Sequence, residues 1–332
     1  MKNCIFAFLA IIGTVIGSGF ISGKEIVVFF SRFGWFSFPC IVLAFFLFFF
    51  LFKFVLERGT QAIKRLENSK ICFWLNIVLC LIFSSAMFAG IGNLLVFDVK
   101  IINYLLFFLI IFFCAFVYKK GIGGLNKSNF ILVPLMTGAL IVMLIISIKG
   151  EVIDVNNELG GLSFFYCLLY VVMNTSNGGV MIASFADKLT KKQKTRVAFF
   201  SALTLCVLLL IADIVLLQNP SSFEQTMPLL SLFSGKGQFV MTLIVFIGCL
   251  TTLLTLTYTL SSSMRGLCNN EILIFFVSIL LPLIFSLLGF DFIVEYFYPL
   301  ASTLGLYILY DLFFVSFFKR AYKKIHATRK KT

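Results

Sequence analysis

Long apolar runs constrain this chain more than any other feature. About 20 apolar residues suffice to cross a bilayer as a helix. Ten such stretches can be marked, at roughly 4–30, 34–56, 71–96, 101–117, 129–149, 162–186, 196–217, 238–262, 271–289 and 292–318. In hydrocarbon every backbone N–H and C=O must be satisfied within the protein, so these runs must wind into helices. The expected fold class is an all-α polytopic membrane protein with ten transmembrane helices.

Composition agrees. Only 12% of the 332 residues are charged, about half of what a soluble domain carries. The net charge of +13 has a positional explanation. With the N-terminus inside, 22 of the 27 Lys and Arg residues fall on inner segments, as the positive-inside rule demands. The N- and C-termini are therefore expected in the cytoplasm and the chain in the cell membrane. Residues 1–318 read as one transmembrane domain and 319–332 as a basic cytoplasmic tail. Nucleic-acid binding would need these cations gathered on a folded domain, and no stretch reads as one. A cleaved signal peptide is an alternative for the first run, but apolar character resumes at Ile26–Phe30 with no polar mature start. The nine cysteines form no Cys-x-x-Cys pair, and His326 is the only histidine. Polarizable core filling explains the cysteines better than metal or disulfide chemistry. No paired carboxylates or nucleophile–base set stands in the spans, which excludes an enzyme. No cofactor is expected.

Two runs are not ordinary. The first contains Gly13-Thr-Val-Ile-Gly17-Ser18-Gly19-Phe20-Ile-Ser-Gly23-Lys24-Glu25. Broken backbone survives at membrane depth only where protein or a water-filled cavity covers it. Half-helix ends there hold ligands: N-termini attract anionic groups, and C-terminal carbonyls attract cations. The sixth run contains Asn174-Thr175-Ser176-Asn177-Gly178-Gly179, six consecutive poor helix formers, and predicts a second break. The first run leads inward to outward and the sixth the reverse. Residues of about 1–149 and 162–318 thus read as an inverted five-plus-five repeat, with a broken helix leading each half. The competing reading is that Gly and Asn serve only close helix packing.

The eighth run offers Gly248, Thr251 and Thr252, hard oxygens suited to sodium if first-helix carbonyls complete the shell. Membrane threonines also bond back to their own helix, and both readings stand here. Buried ionisable groups are functional candidates by default. Lys24 and Glu25 either pair or face the outer vestibule, while Asp213 and Asp311 sit near span ends; snorkelling or interfacial placement is at least an equal reading for each of the four. Residues 218–238 form the longest outer loop, read either as a short hairpin over the vestibule or as an exposed loop.

Gly13-x-x-Ile16-Gly17-Ser18-Gly19-Phe20 resembles the first-helix signature of the amino acid–polyamine–organocation superfamily, which has the LeuT fold. The run through Gly23-Lys24-Glu25 and Phe29-Phe30-x-x-Phe33-Gly34, with Met227-Pro228-Leu229 and Gly289-Phe290…Tyr298-Pro299-Leu300, is similar to the YkvI-like bacterial membrane proteins. Two positions depart from that pattern. Lys24 stands in place of Gln, and the stretch from Pro299 to Gly305 has one glycine where more are expected. The resemblance implies a transporter of amino acids or related small solutes. It implies that amides of Gly17, Ser18 and Gly19 meet a substrate carboxylate, and that carbonyls near Phe20 and Asn174 meet an ammonium. Thr175, Ser176 and Asn177 would line the pocket. It also implies a sodium site at Gly13, Ile16, Gly248, Thr251 and Thr252.

The expected function is therefore a secondary active transporter for a small solute, sodium-coupled. The alternative is a ligand-sensing membrane subunit on the same fold, like those of germinant receptors, which binds solute without net flux. The partners are the small-molecule substrate and the lipid bilayer.

Overall fold

The computed structural model describes residues 2–94, 100–148, 150–153 and 160–311. The expected tail at 319–332 and most of the turn at 98–100 lie outside them. The described chain is almost wholly helical. The first run is split into α1 (Lys2–Val15), α2 (Ser18–Ser22) and α3 (Lys24–Phe29). There follow α4 (Ser37–Asn68), α5 (Lys70–Leu94), α6 (Lys100–Ser147), α7 (Ser163–Ala183), α8 (Lys191–Leu217), α9 (Pro228–Ser231), α10 (Gly235–Met264) and α11 (Glu271–Ser286). A last helix spans Phe290–Asp311, with a π-helical turn at Ile293–Phe297.

Among the described residues, seven helices are long and apolar enough to cross a membrane. Geometry accounts for the difference from the ten expected. The first run is cut into pieces, and the 16 residues of α11 reach only about 24 Å at 1.5 Å per residue. In α6, Gly121 takes a positive φ of 60°, a backbone state that side chains disfavour. The chain turns there, and the long apolar helix is Gly123–Ser147.

The outward surface identifies the solvent. Phe46, Phe50, Phe112, Ile131, Leu135, Phe239, Ile272 and Ile284 all project outward. A water-soluble protein does not expose apolar area on this scale. The chain is a multi-pass membrane protein. Helix starts are fixed by side-chain caps where loops are polar. Thr190 and Gln193 form a reciprocal capping box on α8, and Asn270 Oδ1 accepts from the amides of Ile272 and Leu273 at the start of α11.

Packing is layered around α1. It lies against α6, α7 and α8, while α4 lies against α7 and α8, and α10 against α5 and α6. α11 rests on α5. Small residues set the closest approaches, as membrane helices require. A side chain on Gly13 would meet Val133 of α6 at 2.7 Å, and one on Gly178 would meet Thr14 Oγ1 at 2.9 Å.

One expectation fails. α7 runs unbroken from Ser163 to Ala183, straight through Asn174–Gly179. The Asn174 side-chain amide donates back to Tyr170 O at 3.0 Å, so it reinforces the helix. Gly178 lets α7 close onto α1. Here the packing reading wins, because an unbroken helix satisfies backbone groups that a break would expose.

Candidate functional site

The break in the first run is built at Ile16–Gly17. Ile16 N still bonds Ile12 O at 2.9 Å, Gly17 N turns to Val15 O at 3.0 Å, and Gly17 is extended (φ −106°, ψ −164°). Any residue can adopt that conformation; tight space is what favours a glycine. A Cβ on Gly17 would lie 3.1–3.2 Å from Met87 and Thr252 Oγ1. The next helical bond runs from Ile21 N to Gly17 O at 3.0 Å, so the amides of Ser18, Gly19 and Phe20 precede it and have no intrahelical partner. All three residues are buried. Ser18 Oγ meets Met87 Sδ at 3.4 Å, and Gly90 admits Ser18 closely.

Carbonyls at the end of α1 face the other way, toward α10. Thr252 Oγ1 donates to Gly13 O at 3.1 Å and sits 3.5 Å from Ile16 O. Three oxygens of the expected sodium set therefore converge at the negative end of a helix dipole. Thr251 is elsewhere: its hydroxyl bonds back to Gly248 O at 3.0 Å. Gly248 is a packing position, where a side chain would overlap Ile21. Near Gly13, Asn129 of α6 is buried, and both its amide atoms lack a hydrogen-bond partner among the described residues. Its isolation beside Lys127 gave no signal in sequence.

From α7, Thr175 Oγ1 and Asn177 Oδ1 are without partners among the described residues, while Ser176 Oγ turns to Gly305 O of the last helix at 3.4 Å. Asn174 is held by its own helix, as described above.

Gly23 redirects the chain between α2 and α3. Its φ of 86° is left-handed, which a glycine adopts without strain. The turn sends Lys24 and Glu25 apart. Lys24 Nζ pairs with Asp291 at 3.3 Å and Glu295 at 2.8 Å on the last helix. Glu25 instead folds back onto Gly19, so closely that a Cβ there would collide with its carboxylate. Sequence had left open whether the two pair; they do not. Lys24, Arg32, Glu295, Tyr296 and Phe223 line a pocket of about 330 Å³ beside this turn. α9, in the expected loop at 218–238, covers the turn, with Leu229 packed on Gly23. Thr226 ties the loop to Asp291 at 2.7 Å.

Asp213 follows the buried reading over the interfacial one. It is fully buried and accepts from Ser31 Oγ at 2.6 Å and Ser37 Oγ at 2.5 Å. Ser31 in the turn after α3 and Ser37 at the start of α4 supply the hydrogen bonds that a buried carboxylate needs.

No protein-family model matches the chain, and no curated protein matches it in sequence. A solved structure does resemble it: Mhp1, a nucleobase-cation-symport-1 family transporter, in a closed conformation with bromovinylhydantoin bound. The likeness has a TM-score of 0.52 at 13% identity and covers 90% of this chain and 75% of that one. It supports a LeuT-like fold.

Proposed function

We propose that the chain is a secondary transporter that carries a small solute, an amino acid or related zwitterion, across the cell membrane by sodium-coupled alternating access. The observation that carries this reading is the snapped first helix, closed by the Thr252 hydroxyl on Gly13 O and Ile16 O. A sodium ion would be held by those three oxygens. The buried amides of Ser18, Gly19 and Phe20 would take the solute carboxylate, with Gly17 giving it backbone access. From α7, Thr175 and Asn177 would face the solute beside Asn174, and Ser176 would hold α7 against the last helix.

Ten crossings in two halves fit this reading, with residues 1–318 as one transmembrane domain. α1–α3 count as the first crossing, the two arms of α6 as the fourth and fifth, and α11 as the ninth. The contacts then pair up under exchange of halves. α4 on α7 corresponds to α8 on α1, and α5 on α11 to α10 on α6. The approach of α6 at Gly13 corresponds to that of the last helix at Ser176. Such a five-plus-five arrangement supports rocking of one bundle about a fixed site, here with the first helix interrupted and α7 continuous. The tail at 319–332 would be cytoplasmic, as would the N-terminus.

Coupling requires that ion and solute raise each other's affinity. Purified protein in proteoliposomes should accumulate a radiolabelled amino acid only under an inward sodium gradient. Stoichiometric binding with no accumulation under any gradient would refute transport and leave the sensor.

A further inference from the structure

Glu25 is driven into the interior beside the break, and its surroundings are unusual. It is 3% exposed, and its Oε2 has no hydrogen-bond partner among the described residues. Tyr170 of α7 and Tyr298 of the last helix are each 1% exposed, and their hydroxyls are likewise unpartnered. Tyr298 lies one turn along the last helix from Glu295, the partner of Lys24 next to Glu25, and both α7 and the last helix pack on α3. Aromatic packing fixes the two phenols. Tyr170 stacks edge-on against Phe30 at 5.0 Å and against Phe29, one turn beyond Glu25, at 5.5 Å, while Tyr298 packs on Phe83 at 5.0 Å. A buried phenol ordinarily finds a partner, and a buried carboxylate without one is costly. A carboxylate oxygen on α3 and two phenol oxygens, on the α7 and last helices that pack against it, are thus buried and unsatisfied and form an acceptor set awaiting a donor.

We propose that Glu25, with Tyr170 and Tyr298, binds the ammonium group of a primary amine. An R–NH₃⁺ group offers three donors and one positive charge, and the three oxygens offer three acceptors and one negative charge. Lys24, adjacent in sequence, cannot neutralise Glu25 because it is committed to Asp291 and Glu295. The inference rests on the transporter reading only in taking this space for the solute's. It specifies the solute further: a primary amine is obligatory, and a carboxylate-only molecule is not a ligand.

Carbodiimide modification tests it without requiring transport. Full-length protein in lipid nanodiscs is treated with a hydrophobic carbodiimide, and modification of the Glu25 peptide is followed by mass spectrometry. Propylammonium chloride should slow it in a saturable manner, while sodium propionate and sodium chloride at equal concentration should not. Tyr298→Phe and Tyr170→Phe should each raise the half-protecting propylammonium concentration about tenfold, the loss expected for a hydrogen bond to a charged group. Failure of Glu25 to react, reaction that propylammonium does not slow, or protection by sodium ion alone would each overturn the assignment. Thermal unfolding of both Tyr variants identifies any that misfold. If the Tyr variants are folded and protected like the parent, the three-oxygen site is wrong. Amine protection without sodium-driven uptake would uphold the site and sink the transporter reading; uptake with no protection would do the reverse.

Discussion

Thr252→Val isolates the contact on which the sodium reading turns. Valine keeps the shape and removes one hydroxyl. That hydroxyl leaves its own helix for Gly13 O at 3.1 Å and Ile16 O at 3.5 Å. Its neighbours supply internal controls, because Thr251, Thr255 and Thr259 all bond back to carbonyls of α10 at 2.9–3.1 Å. Removing the hydroxyl deletes one of the three converging oxygens that would hold the ion. A polar contact to a charged group is worth about 1.5–3 kcal/mol. At about 1.4 kcal/mol per tenfold change, the sodium concentration for half-maximal effect should rise by about 10- to 150-fold. Thr255→Val and Thr259→Val should leave it within about twofold, since a back-bond to the same helix adds little that the helix does not already have. The assay is sodium titration of thermal stability in lipid nanodiscs, repeated as sodium-dependent uptake in proteoliposomes. Equal half-saturation in Thr252→Val and Thr255→Val would refute the argument, because the only difference between the two positions is where the hydroxyl points.

Three further outcomes follow from the geometry. Gly19→Ala places a Cβ against the Glu25 side chain and should cost about 1–3 kcal/mol of overpacking; loss of solute binding with normal membrane insertion is expected, and unchanged affinity would contradict a pocket at the break. Asp213→Asn weakens two charge-assisted hydrogen bonds from Ser31 and Ser37, each worth about 1.5–3 kcal/mol, so the variant should unfold at a clearly lower temperature than Ser37→Ala, which removes only one. Amide hydrogen exchange should be slow through Ser176–Val180 in the continuous α7 and much faster at Ser18–Phe20, where no intrahelical acceptor exists; equal rates in the two segments would place a break in both helices or in neither.

The first break was legible in sequence because its glycines do what only glycines can. Gly23 takes a left-handed turn, a side chain at Gly17 would crowd Met87 and Thr252, and one at Gly90 would meet Ser18. The sixth run carried an equally suggestive composition and gave no break. Propensities measured in water undervalue a helix in lipid, where unwinding strands backbone groups, and Asn174 repays its own helix with a bond to Tyr170 O. Periodicity likewise missed Tyr170 and Tyr298, since an isolated phenol in an apolar run looks like core.

What the sequence by itself determined is the class of object: apolar runs too long for a soluble core and a glycine-rich first span that cannot wind through. Those follow from solvation and local sterics, which each residue carries with it. Only the tertiary structure decided the rest. Which threonine reaches across to α1, which carboxylate turns inward at Gly23, and whether α7 stays whole depend on neighbours that are distant in the chain. Close contact between helices, and not propensity, settles where a polar group in a membrane finds its partner.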